Sequence, residues 1–163
     1  MDIEILSEPI ISKIVEINGT KLEVFADGRV YRFKKNGDLK LIENTENHSN
    51  GYNRIGCDNK MIRRHRIIAT AFLNLDINDT TKQVDHIDGQ RLNNSLTNLR
   101  VVTHQQNQWN RLTAKGYCWS KQHNKWCAQI KVNKKKIHLG YFNTEQKARD
   151  AYLKAKNIYH IIQ

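Results

Sequence analysis

Residues 85–110 read DHIDGQRLNNSLTNLRVVTHQQNQWN, and the rest of the chain is interpreted around them. The pair Asp85-His86 closes a short alternating segment, 83–87. A polar loop rich in Asn and Gly follows over 88–98, then a second alternating segment over 99–102. Thr103 is a good N-cap for a helix over 104–112. The order is strand, long loop, strand, helix. Hydrolysing a phosphodiester at neutral pH needs a base to take a proton from water, a cation to stabilise developing charge and help for the leaving oxygen. His86 has an ordinary pKa near neutrality and is the candidate base. Asp85 supplies a hard oxygen suited to a cation such as Mg²⁺.

Upstream, Ile67, Ile68, Ala71 and Phe72 fall at helical spacing and predict a helix over 64–73. Arg63, Arg64 and Arg66 crowd its start, which the helix dipole disfavours unless an anion offsets them. With His65 they are therefore candidates to contact DNA phosphates or to stabilise the leaving oxygen, with Arg91 and Arg100 as further candidates. Residues 1–63 read as antiparallel β. Segments 21–25 and 29–33 flank the turn Ala26-Asp27-Gly28, a second turn lies at 36–38, and 43–51 is a polar loop. Segments 52–56 and 61–63 flank Asp58-Asn59 as a third hairpin.

Charge is unevenly placed in this 163-residue chain of net charge +11. Residues 1–58 hold 8 Lys and Arg against 10 Asp and Glu, residues 59–112 hold 8 against 4, and residues 113–163 hold 11 against 2. A positive field over the last two-thirds suits a partner made of phosphates. No apolar run is long enough for a transmembrane helix, and the start lacks the pattern of a secretory signal. Cys57, Cys118 and Cys127 form no C-x-x-C pair, so buried thiols in a reducing compartment are expected rather than a disulfide framework or a zinc site.

The layout of residues 64–112 resembles the HNH nuclease family, in its phage and intron-homing branch with a ββα-metal fold. HRIIATAF (65–72) and NLRVVT (98–103) match its flanking patterns. The resemblance implies Asp85 as first metal ligand and His86 as general base. It also implies Asn98, twelve residues after His86, as the Asn that orients the imidazole, and Asn107, 22 residues after Asp85, as second metal ligand. Asn94 is the alternative for orienting His86 and His104 the alternative ligand. An all-oxygen protein shell implies one divalent cation, Mg²⁺ or Mn²⁺, completed by water and the scissile phosphate.

Beyond residue 116, segments 117–120, 126–132 and 137–141 read as three strands. Asn143 or Thr144 caps a helix to about 157, with Ala148, Ala151, Tyr152 and Ala155 on one face. W-x-A-x-I followed by H-L-G-Y-F-x-T resembles the DNA-binding domain of the APETALA or ethylene-response type. That family lays a three-stranded sheet in the major groove. Alternation places Trp126, Ala128, Ile130 and Val132 against the helix. Trp119, Lys121, Lys125, Gln129, Lys131, Lys136 and His138 are then expected to face DNA.

The expected fold is α+β, with an antiparallel β module (1–63), a central ββα-metal nuclease domain (64–112) and a sheet-on-helix DNA-binding domain (113–163). The expected function is a metal-dependent endonuclease acting on double-stranded DNA, nicking as a monomer or cutting both strands as a homodimer, inside a phage-infected cell. The alternative is a non-catalytic DNA-binding regulator with a vestigial nuclease centre.

Overall fold

The computed structural model describes residues 11–110 and 115–161, which form two compact units divided between His104 and Gln105. The expected helix end at 112 and the expected boundary at 112/113 lie outside the described residues. The architecture is α+β, built from small antiparallel sheets and few helices. Among the described residues no helix is long and apolar enough to cross a membrane.

The first unit opens with a four-stranded antiparallel sheet, β1 (Ser12–Ile17), β2 (Thr20–Phe25), β3 (Val30–Phe33) and β4 (Leu39–Ile42), in that spatial order. Sequence reasoning located β2 and β3 but missed β1. Its hairpin signal is Asn18-Gly19, whose positive φ angles of 48° and 72° match the right-handed strand twist. Next come the hairpin β5 (Arg54–Cys57) and β6 (Lys60–Arg63), the helix α1 (Arg64–Phe72), and the strand pair β7 (Lys82–His86) and β8 (Leu99–Thr103); α2 (His104–Trp109) starts at the last residue of this unit and belongs otherwise to the second. A 3-10 turn at Leu96–Asn98 leads into β8. One hydrophobic core gathers Leu22, Val24 and Val30 from the sheet, Ile55 and Cys57 from β5, Ile67 and Ile68 from α1, and Val84 and Leu99 from the strand pair. It draws on both sides of the expected boundary at 63/64, so the sheet and α1 share a single interior.

In the second unit β9 (Tyr117–Ser120), β10 (Lys125–Val132) and β11 (Lys135–Phe142) form an antiparallel sheet with β10 in the middle, backed by α3 (Glu145–Tyr159). The two-residue turn Asn133-Lys134 has φ of 47° and 66°. Thr144 caps α3 by accepting from the Lys147 backbone N–H at 3.3 Å, and Glu145 and Lys156 complement the helix dipole at its two ends. Ile130, Tyr152 and Ala155 form the interior, with Tyr117, Val132, Ile137 and Leu139 around them. Gly116 is required here: a Cβ at that position would lie 2.0 Å from the Tyr152 ring.

The start of α1 departs from expectation. Arg64 is 1% exposed, and its guanidinium lies inside the protein. Nε donates to Asn53 Oδ1 at 2.8 Å, Nη1 to the Gly28 carbonyl at 3.1 Å, and Nη2 to the carbonyls of Ile42 and Glu43 at 2.6 and 2.9 Å. Burial lowers its pKa to about 10, so it remains charged at neutral pH. Arg66 is committed likewise, its guanidinium donating to the carbonyls of Lys82, Ile77 and Asp79. Both were expected to contact DNA. The reason for the correction is shared: unpaired loop carbonyls inside the protein need donors, and an arginine on the adjoining helix supplies several at once. Arg64→Ala strips four acceptors of their donor and should cost roughly 3 kcal/mol or more of unfolding free energy. Arg64→Lys should recover only part, because one ammonium cannot span the same acceptors. Urea unfolding midpoints of the three proteins check both expectations.

Candidate active site

Asp85 and His86 end β7, paired with Arg100 and Leu99 of β8. Both are almost wholly buried, at 6% and 5% exposure. Asp85 and Arg100 stand directly opposite in register, which puts their side chains on one face of the pair. Arg100 Nε and Nη2 both donate to Asp85 Oδ2, at 3.0 and 2.8 Å. Sequence reasoning held Arg100 as a phosphate contact, whereas here it fixes the carboxylate.

The loop 88–98 is tied from within and from outside. Asn98, expected to orient the imidazole, turns the other way. Its Oδ1 accepts from the Asp88 backbone N–H, and its Nδ2 donates to Asp88 Oδ1 and the Asn93 carbonyl. Asp88 also accepts from Gln90 N–H and Asn93 Nδ2, and these hydrogen bonds hold its carboxyl below the ordinary range. The residue that reaches the imidazole is Asn94, buried, with Oδ1 3.4 Å from His86 Nε2. An amide oxygen only accepts, so the contact puts the proton on Nε2 and the lone pair of the neutral ring on Nδ1. Asn98 keeps an indirect part, since its carbonyl accepts from the Ile87 N–H beside His86.

Asn94 is itself held from the amino-terminal sheet. Its Nδ2 donates to Asn44 Oδ1 at 3.1 Å, and Asn44 Nδ2 donates to the Leu92 carbonyl. Gly28, at φ 95°, lies so close that a Cβ there would sit 2.9 Å from the Asn94 backbone. The neighbouring Leu96 N–H donates to the Ala26 carbonyl at 2.7 Å. Sequence reasoning assigned Asn44 only to a polar loop and gave Gly28 only a turn role. The signal it lacked was the long-range packing of that turn.

A second layer surrounds the imidazole. His65 of α1 meets His86 edge-on at 5.0 Å, and Tyr52 meets His65 edge-on at 5.1 Å. Arg63 and Arg91 both lie over the Tyr52 ring, 4.9 and 5.2 Å from its centre. Tyr52 was not singled out as a site residue, whereas His65 was expected beside the arginines as a phosphate contact and is instead buried against the imidazole. Burial pushes the His86 pKa below its ordinary value, against the smaller raising effects of Asn94, Asp88 and Asp85. Burial pushes His65 well below, and the neighbouring charges of His86, Arg63 and Arg66 add to it. His86 is therefore a neutral imidazole at physiological pH.

Asn107 lies on α2, three residues after His104. His104 Nδ1 accepts from Gln83 Nε2 at 2.9 Å, which engages a lone pair that a metal would need. Among the described residues no group of three or more His, Cys, Asp or Glu side chains gathers to hold a metal ion. The donor chemistry of Asp85 fits a hard cation: its carboxylate, buried and anchored through Oδ2, is an oxygen donor of the kind that Mg²⁺ or Mn²⁺ takes.

On the sheet of the second unit, Gln129 pairs with His138 and Lys131 with Lys136, so these four share one face with Lys125. A bulge between Ala128 and Gln129 absorbs Leu139. Trp119 lies on the other face and is about half exposed, at 45%. It stands opposite Trp126 and contacts it edge-on at 5.6 Å, on the face that carries Ala128 and Ile130. Lys121 lies in the turn after β9. The lysine-bearing face also carries His123 stacked on Tyr141 at 4.1 Å, and His138 4.7 Å from Tyr141.

Two histidines held below the ordinary value of 6.5 in the folded state bind fewer protons than in the unfolded chain. Their stabilising contribution is complete above about pH 6.5 and is lost as pH falls from there toward their folded values. The melting temperature should therefore drop between pH 7 and pH 5, and His65→Phe should flatten that drop. A Gly28→Ala substitution should displace Asn94, so that the chemical shift and pKa of His86 followed by NMR move more than for Gly19→Ala, which meets no atom within 4 Å.

Residues 63–109, which span α1, the β7–β8 pair and α2, match the sequence model of the HNH endonuclease family. Protein 3.8 of Escherichia phage T7 is 42% identical over 50 residues, covering 26% of this chain and 41% of that protein. The match thus spans less than half the length of the phage relative. A solved structure of the HNH homing endonuclease I-HmuI, studied for DNA binding and cleavage, is similar over 85% of this chain and 82% of its own, at 26% identity and a TM-score of 0.47. The segment that holds Asp85, His86, Asn94 and Asn98 is thus similar in sequence to HNH endonucleases.

Proposed function

We propose that the protein is a metal-dependent DNA endonuclease of the homing or phage type with an appended DNA-recognition module. The observation that carries this reading is a buried, neutral imidazole, His86, aimed by Asn94 and preceded by an anchored carboxylate within the segment that matches HNH endonucleases. His86 Nδ1 takes the proton from the attacking water, and Asn94 holds the ring so that the lone pair lies on that nitrogen. Asn98 keeps the loop closed by bridging Asp88 and Asn93. Asp85 and Asn107 hold one divalent cation, Mg²⁺ or Mn²⁺, which supplies charge stabilisation to the phosphate when bound. Arg63 and Arg91, stacked on Tyr52 beside the imidazole, face the phosphate backbone.

The recognition module is the second unit. In this reading the central nuclease domain shares its interior with the amino-terminal β module, and the carboxy-terminal sheet binds double-stranded DNA in the manner of the APETALA-type domain. Lys125, Gln129, Lys131, Lys136 and His138 lie on its open face. Lys131 opposite Lys136 supports an anionic partner, because like charges in direct register repel unless something neutralises them. The protein acts inside a phage-infected cell, as a monomer that nicks or a homodimer that cuts both strands. One observation favours a non-catalytic regulator instead: Arg100 already occupies Asp85 Oδ2 and competes with a cation for that carboxylate.

Supercoiled plasmid incubated with protein and Mg²⁺ or Mn²⁺ separates the two. Conversion to nicked or linear DNA, abolished by EDTA and by His86→Ala, is expected. Retention of supercoils together with tight DNA binding would establish the regulator. Asn94→Ala should slow cleavage by about ten- to a hundredfold, as for loss of a group that orients a catalytic base. Asn98→Ala should instead lower loop stability, read by hydrogen exchange of the Asp88 amide. Lys131→Ala should reduce the salt dependence of duplex binding by about one unit of slope.

A further inference from the structure

A cavity of about 420 Å³ opens beside the β5–β6 hairpin, a size in the range of ligand sites. Arg54, Lys60, Arg63 and Arg66 all line it, and no acidic residue does. Arg54 and Arg63 stand directly opposite each other in the hairpin, a register in which like charges repel. Arg66 is anchored by backbone carbonyls and forms a fixed wall. The side chains of Arg54 and Lys60 make no ion pair or hydrogen bond among the described residues, and Arg63 touches only the Tyr52 ring. Arg63 is also the residue before α1, a helix with no capping side chain and no acidic residue in its first turn. The positive end of the helix dipole adds to the field there. Arg66 is compensated by its carbonyls and by Asp79, whereas Arg54, Lys60 and Arg63 have no ion-pair partner among the described residues, a cost that an anion in the cavity removes.

We propose that this cavity binds a backbone phosphodiester of DNA other than the one that reacts, and that Arg54 and Lys60 are its contacts. The proposal rests on the nuclease reading for the identity of the anion. Arg63 connects the two places, lining the cavity while lying over the tyrosine whose ring centre is 6.1 Å from that of His86. A phosphate held at the hairpin would set the register of the strand that passes the imidazole.

The test measures binding of the full chain to a labelled DNA duplex in EDTA across a range of NaCl concentrations, for wild type, Arg54→Gln/Lys60→Gln and Arg54→Lys/Lys60→Arg. Each cation removed from a phosphate should lower the slope of log K against log salt by about one. The glutamine pair is therefore expected to lose about two units of slope, and the charge-retaining pair to keep the wild-type value. Thermal unfolding of each protein monitors folding. Lys60→Glu, at an exposed position, provides a variant that folds and should also lose slope. A wild-type slope in the glutamine pair and in Lys60→Glu, with plasmid cleavage by wild type intact, overturns the cavity and leaves the nuclease standing. Absence of salt-dependent duplex binding by wild type overturns both.

Discussion

The guanidinium of Arg64 is the interaction on which the first unit depends. It sits at the start of α1 and gives its hydrogens to three backbone carbonyls and one amide oxygen from outside that helix. Among the described residues no carboxylate forms an ion pair with it, so its charge is compensated mainly by oriented dipoles, with a smaller attraction from Glu43. Removing such a group leaves several buried acceptors unsatisfied at once, which costs more than a single lost hydrogen bond. The consequence reaches the active site. Gly28, whose carbonyl Arg64 holds, packs against Asn94, and Asn94 holds His86. A charge buried for folding thereby sets the position of the proposed base.

By the same dependence, the segment that matches HNH endonucleases draws on residues outside it. Residues 63–109 contain the imidazole and the carboxylate but not Gly28, Asn44, Tyr52 or Asn53. Those four close the loop from the far side, supply the ring beside His65 and complete the cage around Arg64. The two histidines gain from the same enclosure. Burial keeps both neutral, and a neutral His86 is the form that can accept a proton. The Asp85–Arg100 pair works in the opposite sense, keeping a charged carboxylate acceptable in a buried strand because its partner stands directly across the ladder.

Much of this was legible in the sequence, because strands, turns and helices there follow local patterns. The β2–β3 hairpin, the β5–β6 hairpin, α1, the β7–β8 pair and the capped helix α3 all follow from alternation, helical spacing and turn residues. The first strand was missed although Asn18-Gly19 announces its hairpin, because an edge strand with mostly exposed residues has weak alternation. The surroundings of the site residues were illegible where they depend on three-dimensional neighbours. Asn94 and Asn98 share a residue type and a loop, and only the packing of the Gly28 turn decides which faces the imidazole. Trp119 was grouped with the alternating residues of β10, but the face it takes follows from its register opposite Trp126, which sequence does not give.

The arginines show why charge counting stops short of function. Arg63, Arg64 and Arg66 are near neighbours in the chain and contribute equally to net charge. Yet Arg64 is sealed among carbonyls, Arg66 clips the loop before β7, and Arg63 alone keeps its guanidinium out of internal hydrogen bonds. A cation inside the fold does the work of a donor, and its field is absorbed by the dipoles it orients. A cation facing another cation across a ladder has no such compensation. Arg54 with Arg63 in one unit and Lys131 with Lys136 in the other are both of this second kind. Such pairs are unfavourable in the free protein and become favourable when an anion lies between them, so the proposed binding of DNA phosphate at these two surfaces would add to the protein's own stability.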